Sequence, residues 1–467
     1  MITGSDLKLW GLPEGPLYKT AIKAFNHPTC NLGKAKMEVL VKTMLTDPQS
    51  LVGHAVIAPL VKEYMERQKA DQPKTALLLN ANHCPLTVFG ENMIEMGAMS
   101  QIYMAAKLPV SVRAALMPDA HEGYGLPIGG VLAVDNAVIP YAVGVDIGCR
   151  MKMTVLDIPG KQARGMVDKL GNVLTACTIF GAGVEQTAKV EHPVLDDERF
   201  DIAFIKKACL RNIAVKQLGT SGGGNHFVEF GVVEVEGFDE PMLAVLSHSG
   251  SRGMGNKIGL HYSDLAIQKT KLQNDAKRLA WLDLDSAEGQ EYWEAMNLAG
   301  DYSRACHDII HGRICKEMSV KGLKVFENHH NFAWKEVVDG KNVIVHRKGA
   351  TPAGVDDIGV IPGSMTTPTF VVRGKGDVRS MSSSSHGAGR MMSRMKAKES
   401  FTMSAMKKNL EDAGVTLLGG GLDECSMAYK DIEQVMAVQS DLVNIIGRFK
   451  PMVVRMANEQ LKPWEKE

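Results

Sequence analysis

Apolar residues near the amino end recur at helical spacing, first over residues 34–45 and again over 57–68. Residues 1–78 therefore read as a helical extension, with Gln72-Pro73 at its boundary. From about Leu77 the pattern changes. Short apolar, strand-like runs alternate with glycine-rich turns: HEGYGLPIGG (121–130), GVDIGC (144–149), GTSGGGNHF (219–227), HSGSRGMG (248–255), IPGSM (361–365) and HGAGR (386–390). Helical spacing returns over 201–218, 257–274 and 289–318. Asp339-Gly340 between apolar runs signals a hairpin. No internal repeat is visible. The pattern predicts an α+β domain over 79–467, with glycine-rich loops holding polar residues.

Composition narrows this picture. The 467 residues are 45% apolar and 23% charged, ordinary for a globular protein with a large core. Lys+Arg and Asp+Glu both total 53, which excludes a diffuse polyanion-binding coat. Any nucleic-acid contact must come from a local basic patch. Eight dispersed cysteines without a CxxC pair argue against a disulfide framework and for a reducing, cytoplasmic setting. Neither a signal peptide nor a membrane span is expected.

Potential metal ligands cluster beside the glycines. Asp146 and Cys149 share one loop, Asn225, His226 and Glu229 follow Gly222-Gly223-Gly224, His248 ends an apolar run, and His330 precedes Asn331. Thiolate, imidazole and carboxylate together suit Zn, Mn, Fe or Co better than Mg or Ca. A thiolate also bridges two metals, an arrangement suited to phosphoryl chemistry. Taken singly, each residue has a plainer reading, a buried small hydrophobe for cysteine or a hydrogen-bonded core group for histidine. Cys306, His307 and His311 lack a HExxH glutamate and read as helix packing or surface. The methionines of 391–406 read as core and helix rather than a cofactor box. No P-loop is present. In Ser382–Arg390, His386 lies between small residues, so it is sterically open; Arg390 and Arg394 would hold phosphate and keep the imidazole neutral and nucleophilic. The plainer alternative is a helix start capped by Ser385.

In order, MPDAHEGYGLPIGG, GVDIGC, GTSGGGNHFVEF, HSGSRGMG, HHNFA, HRKGAT, IPGSM, SHGAGR and AYKDI resemble the motif series of the RtcB family of RNA ligases, over about residues 79–440. The resemblance implies a GTP-using, manganese-dependent ligase. Such enzymes form a histidine–GMP phosphoramidate, pass GMP to an RNA 3′-phosphate (opened from a 2′,3′-cyclic phosphate where needed), and seal to a 5′-hydroxyl. By motif, His386 would carry GMP and Cys149 would bridge two Mn ions. Asp146 and His226 would complete one metal site, His248 and His330 the other. Asn225 would hold a GTP phosphate. Glu229 and Tyr429 would contact guanine, Ser364 and Thr369 would line the nucleotide site, and Arg252 and Arg390 would meet RNA or nucleotide phosphates. A monomer is expected, with room for an accessory activator protein.

The chain departs from the family pattern in its extension and at Thr369, a serine in many members. Arg150 replaces a common glycine, which implies a further phosphate contact or a narrower site. The tail lacks the terminal Lys-Gly that reads guanine, with Lys462 as a substitute. An RNA-end-binding protein or a cyclic phosphodiesterase without sealing activity are the alternatives. The intact ligand set and His386 favour the ligase.

Overall fold

The structure, a computed structural model, describes residues 2–12, 17–71 and 77–458. The predicted boundary at Gln72-Pro73 and the tail with Lys462 lie outside them. The chain separates into two units, Met1–Ala76 and Leu77–Glu467. In the first, helices Gly4–Leu9, Leu17–Phe25, Lys34–Thr46 and Ala58–Asp71 surround a core that includes Leu7, Trp10, Phe25, Val41 and Ile57. Met37, Val41 and Met44 recur every three or four residues, so one face of Lys34–Thr46 is buried. Leu77 belongs to the second unit, where its backbone bridges Leu272.

The second unit holds an α+β fold built on two main sheets. One has the order Leu86–Val88, Ser111–His121, Ile128–Val134, Lys341–Lys348, Asn331–Val338. Its last two strands form the expected hairpin, with Asp339 and Gly340 both at positive φ (50° and 75°), as a tight two-residue turn requires. The other sheet runs Ile358–Ile361, Thr369–Gly374, Val443–Asn458, Phe227–Val235, Met242–Ser249, Arg150–Pro159, Gly322–His329. This sheet curls until its outer strands meet through Asn328, whose Oδ1 accepts from Val360 N at 2.8 Å. Met151, Met153, Leu246, Phe326, Val371 and Phe449 fill one core cluster on it.

Side-chain alternation sends the other face of these strands toward the long helix Ala287–Met318. There His311 Nδ1 meets Thr154 Oγ1 at 2.8 Å and its Nε2 meets Ser247 Oγ at 2.7 Å, while His307 bonds Ser247 Oγ at 2.6 Å. The His pair is therefore helix packing.

Other elements depart in detail from expectation. The stretch 201–218 breaks into Ala203–Lys207 and Leu210–Gln217, because Cys209 adopts positive φ (53°) between them. The helix expected over 257–274 is Arg252–Lys269. Ser385 lies in a short strand, Ser383–Ser385, and Ser393 caps the following helix instead. Met406 is buried, but Met391, Met395 and Met403 are exposed, so the methionine-rich segment is only partly core. No helix among the described residues is long and apolar enough to cross a membrane.

Candidate metal centre and nucleotide pocket

Four neighbouring strands of the curled sheet bring the ligand candidates to one edge. His226 precedes Phe227–Val235, His248 is near the end of Met242–Ser249, Cys149 precedes Arg150–Pro159, and His330 follows Gly322–His329. Each strand is antiparallel to its neighbour, so a start alternates with an end along the same edge. Asp146, Cys149 and His226 form one group of converging ligand atoms; Cys149, His248 and His330 form a second. Cys149 Sγ lies 3.1 Å from His248 Nε2 and 3.6 Å from His226 Nε2. His226 Nε2 is 3.0 Å from an Asp146 oxygen, and the Nε2 atoms of His248 and His330 are 3.2 Å apart.

The imidazoles are aimed from behind. His226 Nδ1 donates to Ser221 O at 2.8 Å and His248 Nδ1 to Asn225 O at 3.2 Å. A carbonyl only accepts, so each Nδ1 carries the proton and each Nε2 keeps its lone pair for the centre. Burial drives His248 down to about 3, and His330 well below the ordinary histidine range. Burial also pushes the Cys149 thiol up, with Asp146 adding to the effect. Burial alone would raise Asp146 too, but the hydrogen bond with His226, aided by the Arg252 guanidinium, holds it low. Neutral imidazoles, a carboxylate and a thiol without a cationic partner are a donor set that a divalent ion would complete. Gly250 permits the packing, since a Cβ there would overlap the Asp146 carboxylate.

His386 lies beside the second group, its ring centroid 5.0 Å from that of His330. Its Nδ1 is 2.7 Å from Asp119 Oδ2, which also accepts from the backbone N–H of His386 (3.1 Å) and of Gly387 (3.3 Å). Burial would raise the Asp119 carboxyl; the hydrogen bond from His386, aided by the Lys430 ammonium, outweighs it and holds the group low. An ionised Asp119 fixes the His386 proton on Nδ1 and leaves Nε2 with a free lone pair.

The residues that follow His386 join a hydrogen-bonded cluster. Glu424 is buried and accepts from Arg390 Nη1 (2.9 Å), Arg394 Nε (2.8 Å) and the Tyr429 hydroxyl. Arg390 also donates to Tyr429 Oη, Asp423 O and Met392 O, and its guanidinium lies 5.0 Å over the Tyr429 ring. Arg394 is differently placed. Its Nη2 lies 2.7 Å from where a Cβ of Gly224 would be, directly before Asn225 and His226.

A family model described as tRNA-splicing ligase RtcB matches residues 101–208 and 203–457. The chain belongs to the RtcB family. It is 33% identical over 405 residues to the RNA-splicing ligase RtcB1 of Escherichia coli, covering 80% of this chain and 98% of that protein. It is 32% identical over 441 residues to the tRNA-splicing ligase RtcB of Nanoarchaeum equitans (78% and 92% covered) and 30% identical over 427 residues to the RNA-splicing ligase RtcB of Mycobacterium tuberculosis (75% and 99%).

Within this RtcB chain the structure gathers the metal-ligand candidates and His386, and sorts the remaining candidates. Glu229 is buried in Phe227–Val235, and burial pushes its carboxyl well above the usual range. Ser364 Oγ pairs with Thr367 Oγ1 at 2.9 Å, and Thr369 is buried at the start of its strand. Arg252 donates to Thr220 Oγ1 (3.0 Å) and Gly181 O (3.1 Å), with its Nη1 against Gly222.

Arg390 and Arg394 do not act as free cations beside His386, since both are ion-paired to Glu424. Arg150 is buried, with Nη2 3.4 Å from His329 Nδ1. Strand alternation turns it toward the long helix, where it pairs with Glu327 at 3.4 Å. Sequence reasoning missed Asp119 and Glu424. Asp119 stands inside MPDAHEG, and a carboxylate in an apolar run was the available signal.

Proposed function

We propose that this RtcB-family chain is an RNA ligase that uses GTP and two Mn²⁺ ions to join an RNA 3′-phosphate, or a 2′,3′-cyclic phosphate once opened, to a 5′-hydroxyl. The observation that carries this reading is a histidine, His386, with Nδ1 held by a buried carboxylate and its ring beside a ligand set that shares one cysteine. Asp146, Cys149 and His226 would hold one ion, and Cys149, His248 and His330 the other. Bound there, the ions would neutralise charge on phosphoryl oxygens.

His386 Nε2 attacks the α-phosphorus of GTP, an N–P bond forms, and pyrophosphate leaves with the electrons of the broken P–O bond. Asp119 stabilises the imidazolium as positive charge develops. An oxygen of the RNA 3′-phosphate then attacks the same phosphorus, the N–P bond breaks, and His386 recovers its lone pair. This converts a poor electrophile into an end with GMP as leaving group. A 5′-hydroxyl attacks the RNA phosphorus, loses its proton, and releases GMP. Arg394, paired to Glu424 through Nε, keeps its Nη2 against Gly224 beside Asn225 and His226, where it would meet a phosphate; Arg390 supports the face of Tyr429. Glu229 would read the N1–H and N2–H₂ donors of guanine, with Ser364, Thr369 and Asn225 around the nucleotide. Opening a cyclic phosphate without sealing would need no histidine held in this way.

The test is incubation with α-labelled GTP and Mn²⁺. The protein should acquire an acid-labile, base-stable label that His386→Ala lacks. Supplied with RNA already activated by GMP, His386→Ala should still seal. Labelling that persists in His386→Ala would overturn the assignment.

A further inference from the structure

We propose that the outer face of the helix pair Arg394–Ser400 and Met403–Ala413 is the surface on which the RNA strand bearing the 3′-phosphate lies as it enters the centre. This rests on the ligase reading above and adds where its substrate docks.

The inner sides of both helices are fixed. Ala397, Met406 and Leu410 pack in one cluster with Cys425, Ala428, Val454 and Met456. What the pair turns outward is therefore decided. Met395, Met403 and the preceding Met391 are 71%, 47% and 55% exposed, and Lys396, Lys407 and Lys408 are exposed among them. None of these three lysines forms an ion pair among the described residues. Residues 390–413 carry Arg390, Arg394, Lys396, Lys398, Lys407 and Lys408 against Glu399, Glu411 and Asp412; with both arginines paired to Glu424, the exposed Lys396, Lys407 and Lys408 are the cations this face offers to a ligand. Without a diffuse field to attract a polyanion, a local concentration of this kind must supply the attraction.

The face is also continuous with the centre. It begins at Arg394, whose guanidinium lies against Gly224, two residues from the ligand candidate His226. Interleaved ammonium groups and thioethers fit a single strand. Lysines meet successive phosphates, and flexible, polarisable methionines lie against bases of any identity. A protein partner fits less well, because lysine is depleted in protein interfaces.

The test uses the full chain with Mn²⁺, GTP and a single-stranded RNA ending in a 3′-phosphate. In the triple variant Lys396→Glu, Lys407→Glu, Lys408→Glu, label transfer from GTP to His386 should be unchanged, since the lysines stand outside the nucleotide site. RNA binding should weaken and KM for RNA should rise at least about tenfold. The slope of log K against log salt should fall by about 2, as expected for roughly 0.7 counterions per neutralised phosphate on single strands. The milder triple Lys→Ala variant should lose the same slope and serves where reversal disturbs folding. Met395→Ala with Met403→Ala should weaken RNAs of different sequence alike and leave the slope intact. RNA affinity and salt slope equal to wild type in the lysine variants, with label transfer intact, would overturn the proposal and assign the face to another partner. Failure of the wild type to take label from GTP would instead sink the ligase reading.

Discussion

One oxygen of Asp119 receives three donors, all from residues 386 and 387, while its other oxygen has no hydrogen-bond partner among the described residues. Asp119→Asn keeps the shape and removes the charge that fixes the His386 proton. GMP transfer to His386 should slow by about 10²-fold or more, while sealing of pre-activated ends should persist. Single-turnover labelling at constant fold stability checks this; an unchanged rate would reduce Asp119 to packing. Glu229 presents the opposite case, a carboxyl that burial pushes well above the usual carboxylate range and that a ligand with N–H donors would pair. Guanine does so on its N1 and N2 side and adenine does not. The wild type should prefer GTP over ATP, and Glu229→Ala should erode that preference by about 1–3 kcal/mol, more than deletion of residues 462–467 does. Competition between labelled GTP and unlabelled ATP for His386 reads the margin, and equal use by the wild type would remove the assignment. Neither Asp119 nor Glu424 was legible as a functional group in the sequence. Asp119 meets a histidine 267 positions away, and spacing along a chain carries no information about such a pairing.

At the scale of elements, the strand edge explains why four loops far apart in sequence supply one centre. Cys149 occurs in both ligand groups, whereas His330 occurs in one. Cys149→Ala should therefore remove Mn²⁺ from both sites, and His330→Ala should empty mainly the second. Metal analysis of the purified variants distinguishes these; undiminished Mn²⁺ in Cys149→Ala would end the bridging assignment. Alternation along Arg150–Pro159 also accounts for Arg150. Its neighbour Cys149 reaches the ligand groups, while Arg150 joins Lys152, Glu327 and Arg304 in an ion-paired network. Element types were largely legible, because helical periodicity and the Asp339-Gly340 turn are local properties. The break at Cys209 and the exposure of Met391, Met395 and Met403 were not, because each depends on what packs nearby.

For the molecule as a whole, metal binding at this ligand set would be coupled to protons. Burial keeps His248 and His330 neutral across the physiological range, so they release none on binding an ion. The Cys149 thiol is raised by burial and must lose its proton to serve as a thiolate. Mn²⁺ affinity should rise with pH, about tenfold per unit below the thiol's pKa, with about one proton released per bridged pair. Calorimetry in buffers of different ionisation enthalpy measures that proton, and its absence would argue against thiolate ligation. The sequence by itself determined the α+β class, the helical character of the amino-terminal unit, the family, and the ligand types at the glycine loops. These follow from local periodicity, residue chemistry and ordered motifs. Only the tertiary structure decided that Asp119 holds His386, that Glu424 draws Arg390 and Arg394 together, and that Arg150 turns away from the ligand groups. Those outcomes depend on strand register and burial, which arise when distant segments pack and exclude water.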